Sequence, residues 1–361
     1  MKNVLFYISG HGYGHSVRTI EVVRVLCQGR DDVSIKIKTV APKWLFNDLV
    51  LEKKVEVLEA NLDAGVVEVN PLLIDTEKTV EKLSDFIKHS IHIFAKELAY
   101  GFQNNIDLIV SDVPALAGEI AAKMNVPCLA ASNFLWDWIY EPLIDDEEFR
   151  NSILTPIRTG YSKMICWMRY PFYHNSSMIS KIIDVSLVVR KVEHSPEELQ
   201  KELNLDMNRR KVYIAFRDGL EQEIFITAAK KSPDCLFLIA DEPRVQLPSN
   251  VKYIQPFPKF SFVDVINMCD VVVGKPGYGL ASNCVACKKR LLYSPRSGFR
   301  EDDVLMKEVE QFIPTVEIPT QDFLYGNWNE YLVDLTQKEM PKNVIKTDGA
   351  QECYDIINSY L

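Results

Sequence analysis

Long apolar runs are absent from this chain. No stretch reaches the roughly 18 residues that a membrane-spanning helix needs, so membrane association is peripheral at most. The opening apolar run, Val4 to Ser9, is too short for a secretory signal and leads straight into a glycine loop. Positive charge is also in short supply. Lys and Arg number 41 against 50 Asp and Glu, a formal net charge of −9. Nucleic-acid binding neutralises phosphates with a surplus of Lys and Arg, so it is disfavoured as a function. A small phosphorylated ligand is still compatible, because it needs only local donors. The expectation is a cytoplasmic protein.

Several catalytic signatures are missing too. There is no Gly-x-Ser-x-Gly nucleophile elbow and no His-Glu-x-x-His helix. No Asp-x-Asp pair is placed to clamp a metal-bound nucleotide. The eight cysteines include one Cys-x-x-Cys, Cys284 and Cys287, without two further ligands at zinc spacing. They read as reduced, buried thiols. No metal and no cofactor is expected.

What the chain does contain is two runs of alternating strand and helix patterns. Its 361 residues suit two domains of roughly 150 each. In the first half, Val4–Ser9, Ser34–Val40, Val55–Leu58, Ile106–Val110 and Pro127–Ser132 read as strands, with Met164–Met168 as the last. Helical spacing runs through residues 16–28, 76–104 and 116–124. In the second half, Val212–Phe216, Leu236–Ala240, Val251–Ile254, Val271–Gly274 and Arg290–Tyr293 read as strands. Helices are predicted between them, and at 302–312 and 350–360. A link falls near residues 184–208, where Ser195-Pro196-Glu197-Glu198 is a good helix start. The fold class is therefore α/β, with two doubly wound parallel sheets.

In open parallel sheets, ligands bind beyond the carboxyl ends of the strands. The loops there carry the chemistry. Gly10-His11-Gly12-Tyr13-Gly14-His15 follows the first strand and opens a helix. Gly12 and Gly14 let backbone N–H groups approach an anion, and His11 and His15 supply a base or proton donor near neutral pH. Gly274-Lys275-Pro276-Gly277-Tyr278-Gly279 sits in a second strand-to-helix turn. Its helix start, Gly277, Tyr278 and Gly279 with the Ser282 hydroxyl, can hold a diphosphate. Neither loop is a dinucleotide fingerprint or a Walker loop. Phe216-Arg217-Asp218-Gly219 brings Arg217 and Gly219 to the end of another strand, where Arg217 can pair with phosphate. Ser132-Asn133-Phe134-Leu135-Trp136-Asp137 offers aromatic residues for an acceptor pocket or for the core.

These loops, in this order, resemble GT-B nucleotide-sugar glycosyltransferases. The likeness is greatest to the glycosyltransferase-like amino-terminal region of plant-type L-arabinokinases and their bacterial relatives. A more distant likeness is to the N-acetylglucosaminyltransferase that completes lipid II. The matching segments are Gly10–His15 with Arg18, Ser111-Asp112-Val113-Pro114, Ser132–Phe134 with Trp136-Asp137 and Ile139-Tyr140, Asp184-Val185, Leu187–Lys191, and Gly274-Lys275 with Gly277-Tyr278-Gly279. Phe299-Arg300-Glu301-Asp302 resembles a later family loop. The kinase half of the arabinokinases has no counterpart in these residues.

The resemblance implies two Rossmann-like domains facing across a cleft. Residues 1–190 would take the acceptor and 191–340 the nucleotide sugar, with 341–361 as a helix packing back on the first domain. By position, His15 matches the histidine near the acceptor hydroxyl, Gly277 to Ser282 the diphosphate-binding helix start, and Phe257 the residue whose backbone meets the nucleobase. Asn283 stands where relatives carry a ribose-binding glutamate, and Phe216-Arg217 where they carry a glycine pair. Asp112, Asn133, Trp136, Glu301 and Asp302 are implied acceptor or sugar contacts. The expected activity is metal-independent transfer of a sugar from a nucleotide-sugar donor to a hydroxyl acceptor. The alternatives are hydrolysis or epimerisation of a nucleotide sugar, and a non-catalytic nucleotide-sugar-binding protein.

Overall fold

The computed structural model describes residues 1–50, 54–206, 208–216, 220–255 and 260–361. Arg217, Gly219 and Phe257 lie outside the described residues. The chain divides into two compact units, residues 1–67, 75–189 and 346–361 in the first, and 68–74 and 190–345 in the second.

In chain order, the strands up to residue 184 are β1 (Lys2–Ile8), β2 (Val33–Lys38), β3 (Val55–Leu58), β4 (Glu68–Asn70), β5 (Leu73–Ile74), β6 (Leu108–Asp112), β7 (Cys128–Ser132), β8 (Cys166–Arg169) and β9 (Ile182–Asp184). Those of the first unit form one sheet in the order β3-β2-β1-β6-β7-β8-β9, parallel throughout. Val4 to Ile8 are all buried, the unbroken apolar run of a strand covered on both faces. The sheet extends one strand past β8. The three-residue Ile-Ile-Asp of β9 is too short to leave a period-2 signal, which is why the sequence pattern stops at β8.

The short hairpin β4–β5 interrupts the first unit in sequence and counts with the second. Leu72, at its turn, is buried in the second unit's core, and Ser297 N donates to Leu72 O at 3.0 Å. A single cut near residue 190 therefore does not separate the units. The rest of the second unit is β10 (Arg210–Ile214), β11 (Cys235–Ile239), β12 (Val251–Tyr253), β13 (Val271–Gly274), β14 (Arg290–Tyr293) and β15 (Thr315–Glu317). They form a parallel sheet in the order β12-β11-β10-β13-β14-β15.

Strand order reverses between β1 and β6 in the first sheet and between β10 and β13 in the second. At such a switch point the connections leave in opposite directions and open a crevice at the strands' carboxyl ends. Each glycine loop follows a switch-point strand. Helix Gly349–Asn358 belongs to the first unit, where Tyr354 Oη donates to Gly29 O at 3.1 Å and Glu352 accepts from Ser186 N at 2.6 Å. Among the described residues, no helix is long and apolar enough to cross a membrane. The eight cysteines are all free thiols, and all but Cys287 are buried.

Candidate active site

The first-unit site is built at the β1/β6 switch point. Helix Tyr13–Gly29 starts after Gly12, whose φ of 76° lies in the left-handed region that favours glycine. Among the described residues no side chain caps this helix, and its first turn holds no acid. His15 stands in the first turn and Arg18 less than one turn further along, on the same face. Ile8 of β1 is in register with Asp112 of β6, which brings the carboxylate beside that turn.

Asp112 is the centre of a buried cluster. Arg18 donates Nε to Oδ2 at 2.8 Å and Nη2 to Oδ1, a two-pronged grip. Thr19 Oγ1 donates to Oδ2 at 2.9 Å. His15 Nδ1 lies 2.9 Å from Oδ1. Arg18 Nη1 reaches Asn133 Oδ1 at 2.8 Å, and its guanidinium lies 4.9 Å from the Tyr170 ring centre. Burial alone would raise the Asp112 carboxyl. The charge and hydrogen bonds of Arg18, then those of His15, overcome this and hold it at about 2. Asp112 is therefore an acceptor only, so the His15 Nδ1 that bonds it carries the proton. Arg18 Nη2, 2.9 Å from the same Nδ1, is also a donor, and its bond goes to the carboxylate. In the neutral imidazole, a proton on Nδ1 leaves Nε2 with the lone pair.

Val113, directly after Asp112, is β-branched yet has φ of 81°. Strain of this kind costs on the order of 1–3 kcal/mol and persists only where the surroundings enforce it. Here Tyr161 Oη donates to Val113 O at 2.7 Å.

An aromatic tier adjoins the cluster. His15 meets Phe134 edge-on, Phe134 meets Trp136, and Trp136 stacks on Tyr140 with 5.0 Å between ring centres. His11 meets Trp136 in a T-shaped arrangement with 5.6 Å between ring centres. Trp136 Nε1 donates to Asp63 Oδ2 at 2.8 Å. Burial raises the Asp63 carboxyl, with the Trp136 and Ser9 hydrogen bonds opposing. Sequence reasoning misses Asp63. The available signal is a lone acid inside the otherwise apolar Leu62–Val66.

The second-unit site is the turn from β13 into helix Tyr278–Ala286. The N-cap Gly277 has no side-chain cap and no acid follows in the first turn. Lys275 Nζ bonds both carboxylate oxygens of Glu68, each at 2.9 Å. Burial lowers the Lys275 ammonium, and Glu68 opposes that. Ser282 Oγ donates to Tyr278 O inside its own helix, and Asn283 Nδ2 donates to Gly279 O at 2.7 Å. Asn283 Oδ1 is buried and meets no donor among the described residues. Glu301 and Asp302 lie with Arg296, also in the second unit. Asp302 accepts from Arg296 N at 2.7 Å, from Nε at 3.1 Å and from Nη2, and Arg296 also faces Glu301 at 3.4 Å.

The structure thus gathers His15, Asp112 and Asn133 around Arg18, with His11 and Trp136 beside them and Gly12 and Gly14 at the helix start. It gathers Gly277, Tyr278, Gly279, Ser282 and Asn283 at the second helix start. Glu301 and Asp302 group with Arg296, an arginine that the sequence patterns do not single out. Arg217, Gly219 and Phe257 are not described. Among the described residues, no group of three or more His, Cys, Asp or Glu is placed to hold a metal ion.

Two parallel doubly wound units, each with a glycine loop at its switch point, have the GT-B architecture. Solved structures support this. The calicheamicin glycosyltransferase CalG4 matches with a TM-score of 0.69 at 14% identity, over 100% of this chain and 98% of its own. UGT89C1 of Arabidopsis thaliana, solved with UDP, matches with a TM-score of 0.62 at 12% identity over 99% of both chains. The glycosyl transferase family 1 model matches residues 2–305, and the chain belongs to that family. A curated relative is the L-arabinokinase of Arabidopsis thaliana, 29% identical over 332 residues. That match spans 91% of this chain and 31% of the length of the relative.

Proposed function

We propose that this glycosyltransferase moves a sugar from a nucleoside-diphosphate sugar to a hydroxyl acceptor, without a resident metal. The observation that carries the reading is the His15–Asp112 pair, with the imidazole fixed through Nδ1 and Nε2 left to accept a proton. In this reading His15 Nε2 removes the acceptor hydroxyl proton as the oxygen attacks the anomeric carbon. Asp112 orients the ring and stabilises the imidazolium that forms. Arg18 holds Asp112 ionised throughout. The leaving diphosphate meets the N–H groups at the start of helix Tyr278–Ala286, with the Lys275 charge beside them. The donor class is supported by the family match and by the uncapped helix start. The place of action we propose is the cytoplasm, where free thiols stay reduced.

The test is a thermal-shift panel of uridine, guanosine, adenosine and thymidine diphosphate sugars, followed by product analysis with and without hydroxyl acceptors. A stabilising sugar nucleotide whose sugar moves only when acceptor is present supports transfer. Silence across the panel overturns the donor class. Release of free sugar at the same rate without acceptor identifies a hydrolase.

A further inference from the structure

The opposite end of the second sheet holds a feature that this reaction does not use. A cavity of about 370 Å³ opens at the amino ends of β10, β13 and β14. Its lining includes Arg209, Arg210, Lys211 and Arg290, against the single carboxylate of Asp270. The register explains the convergence. Val212 pairs with Val271 and Val271 with Arg290, so the residues that lead into three adjacent strands meet at one edge. In a chain with a net charge of −9, four cations around one cavity run against the trend. Amino ends lie away from the glycine loop. The four residues of β13 alone separate Asp270 from Lys275 by roughly 13 Å or more.

The cations are held, but their donors are not used up. Lys211 is only 5% exposed, and its ammonium bonds one acceptor among the described residues, Arg209 O at 3.3 Å. An ammonium has three N–H donors, and burying one with so few acceptors is costly. Asp270 accepts from Lys211 backbone N at 2.8 Å, and among the described residues its carboxylate makes no ion pair with the Lys211 ammonium. Arg290 is braced by bonds to Leu335 O and Lys338 O, both at 3.2 Å. Arg209 and Arg210 meet Asp206 and Asp234 loosely, at 3.5 and 3.9 Å.

We propose that this cavity is a second ligand site, for a small molecule carrying a phosphate or diphosphate group. Guanidinium forks match phosphate oxygens two at a time, and the anion supplies the acceptors that Lys211 lacks. The volume suits a phosphorylated metabolite better than a lone ion. The site lies apart from the proposed donor loop, and the proposal stands whether or not the chain transfers sugars.

The test is backbone hydrogen exchange on the full chain with saturating inorganic pyrophosphate, against sodium chloride of equal ionic strength. Protection is expected at the starts of β10 and β13. Protection confined to residues 278–286, or none at either strand start, overturns the proposal. The Arg209→Gln/Arg210→Gln variant is expected to weaken pyrophosphate binding about tenfold. Unchanged affinity in a folded variant also overturns it. The exchange map on the unaltered chain decides the question even if the variant does not fold. Parallel titrations with uridine diphosphate and glucose 1-phosphate show whether the diphosphate or the phosphomonoester is the preferred form.

Discussion

Arg18 grips Asp112 through both Nε and Nη2, and both residues are almost wholly buried. Removing one partner of such a pair strands the other charge, so Asp112→Asn is expected to cost about 3–5 kcal/mol at neutral pH. The Arg18→Met/Asp112→Asn double variant should recover part of that loss, since neither charge is then left alone. The pH dependence has a definite sign. Asp112 lies at about 2 in the folded chain against an ordinary 3.8. Its stabilisation is complete above about pH 4 and fades as pH falls toward about 2. Acid-unfolding curves should show that fading in the natural chain and not in the double variant. Identical acid slopes would contradict the argument.

His15 touches the same carboxylate but serves a different purpose. If Nε2 takes the acceptor proton, His15→Ala is expected to lower kcat by roughly 10²–10⁴-fold. The thermal shift given by the sugar nucleotide should be unchanged. A matched loss of donor binding would remove His15 from the base role.

This site is legible in the sequence because its members follow strand ends directly. Gly10–His15 after β1, Asp112 at the end of β6 and Asn133 after β7 need only the switch-point rule to bring them together. Val55–Leu58, Leu116–Met124, Val271–Gly274 and Arg290–Tyr293 come out with the bounds that the patterns predict. Asp63 is not legible. Its loop has no periodicity, and its partner Trp136 is 73 residues away. Arg296 fails for a similar reason, since its identity as an anchor depends on the fold of the loop before Glu301. The hairpin β4–β5 totals five strand residues and counts with a unit whose remaining chain begins at Arg190, which no local pattern encodes.

Asp63 carries a pH signature opposite in sign to that of Asp112. Burial raises its carboxyl, so the folded state holds that proton more tightly than the unfolded chain. Stability from it is present at low pH and lost as pH rises through the raised value. Asp63→Asn cannot ionise and keeps an oxygen for Trp136 Nε1. Its melting temperature relative to the natural chain should therefore climb as pH rises above the ordinary carboxylate range, about 4. A constant offset over that rise would show that Asp63 does not titrate as argued.

Helices Leu116–Met124 and Glu147–Ser162 approach through glycines. A Cβ on Gly118 would lie 2.0 Å from Gly160 O, a backbone atom that cannot step aside. Gly118→Ala should cost about 1–3 kcal/mol, or about 2–4 °C of Tm per kcal/mol. Gly277→Ala is the matched control, because among the described residues beyond its chain neighbours no atom lies within 4 Å of the added Cβ. Its φ of −175° is extended backbone open to any residue. Its melting temperature should stay within about a degree of that of the natural chain.

Lys275 links the donor loop to the hairpin through Glu68. Burial lowers its ammonium, while the Glu68 carboxylate favours the charged form. If that charge faces the leaving diphosphate, Lys275→Met should raise the nucleotide-sugar KM about tenfold, the scale of one lost charge-assisted bond. Glu68→Gln keeps the lysine but removes the carboxylate that supports its charge. The lysine should then lose its proton at lower pH, so the rise in KM toward alkaline pH should begin earlier than in the natural chain. Lys275→Met should abolish that alkaline rise altogether. If KM climbs along the same pH curve in all three proteins, the lysine charge plays no part in donor binding, and Glu68–Lys275 is a strut that ties β4 to the glycine loop.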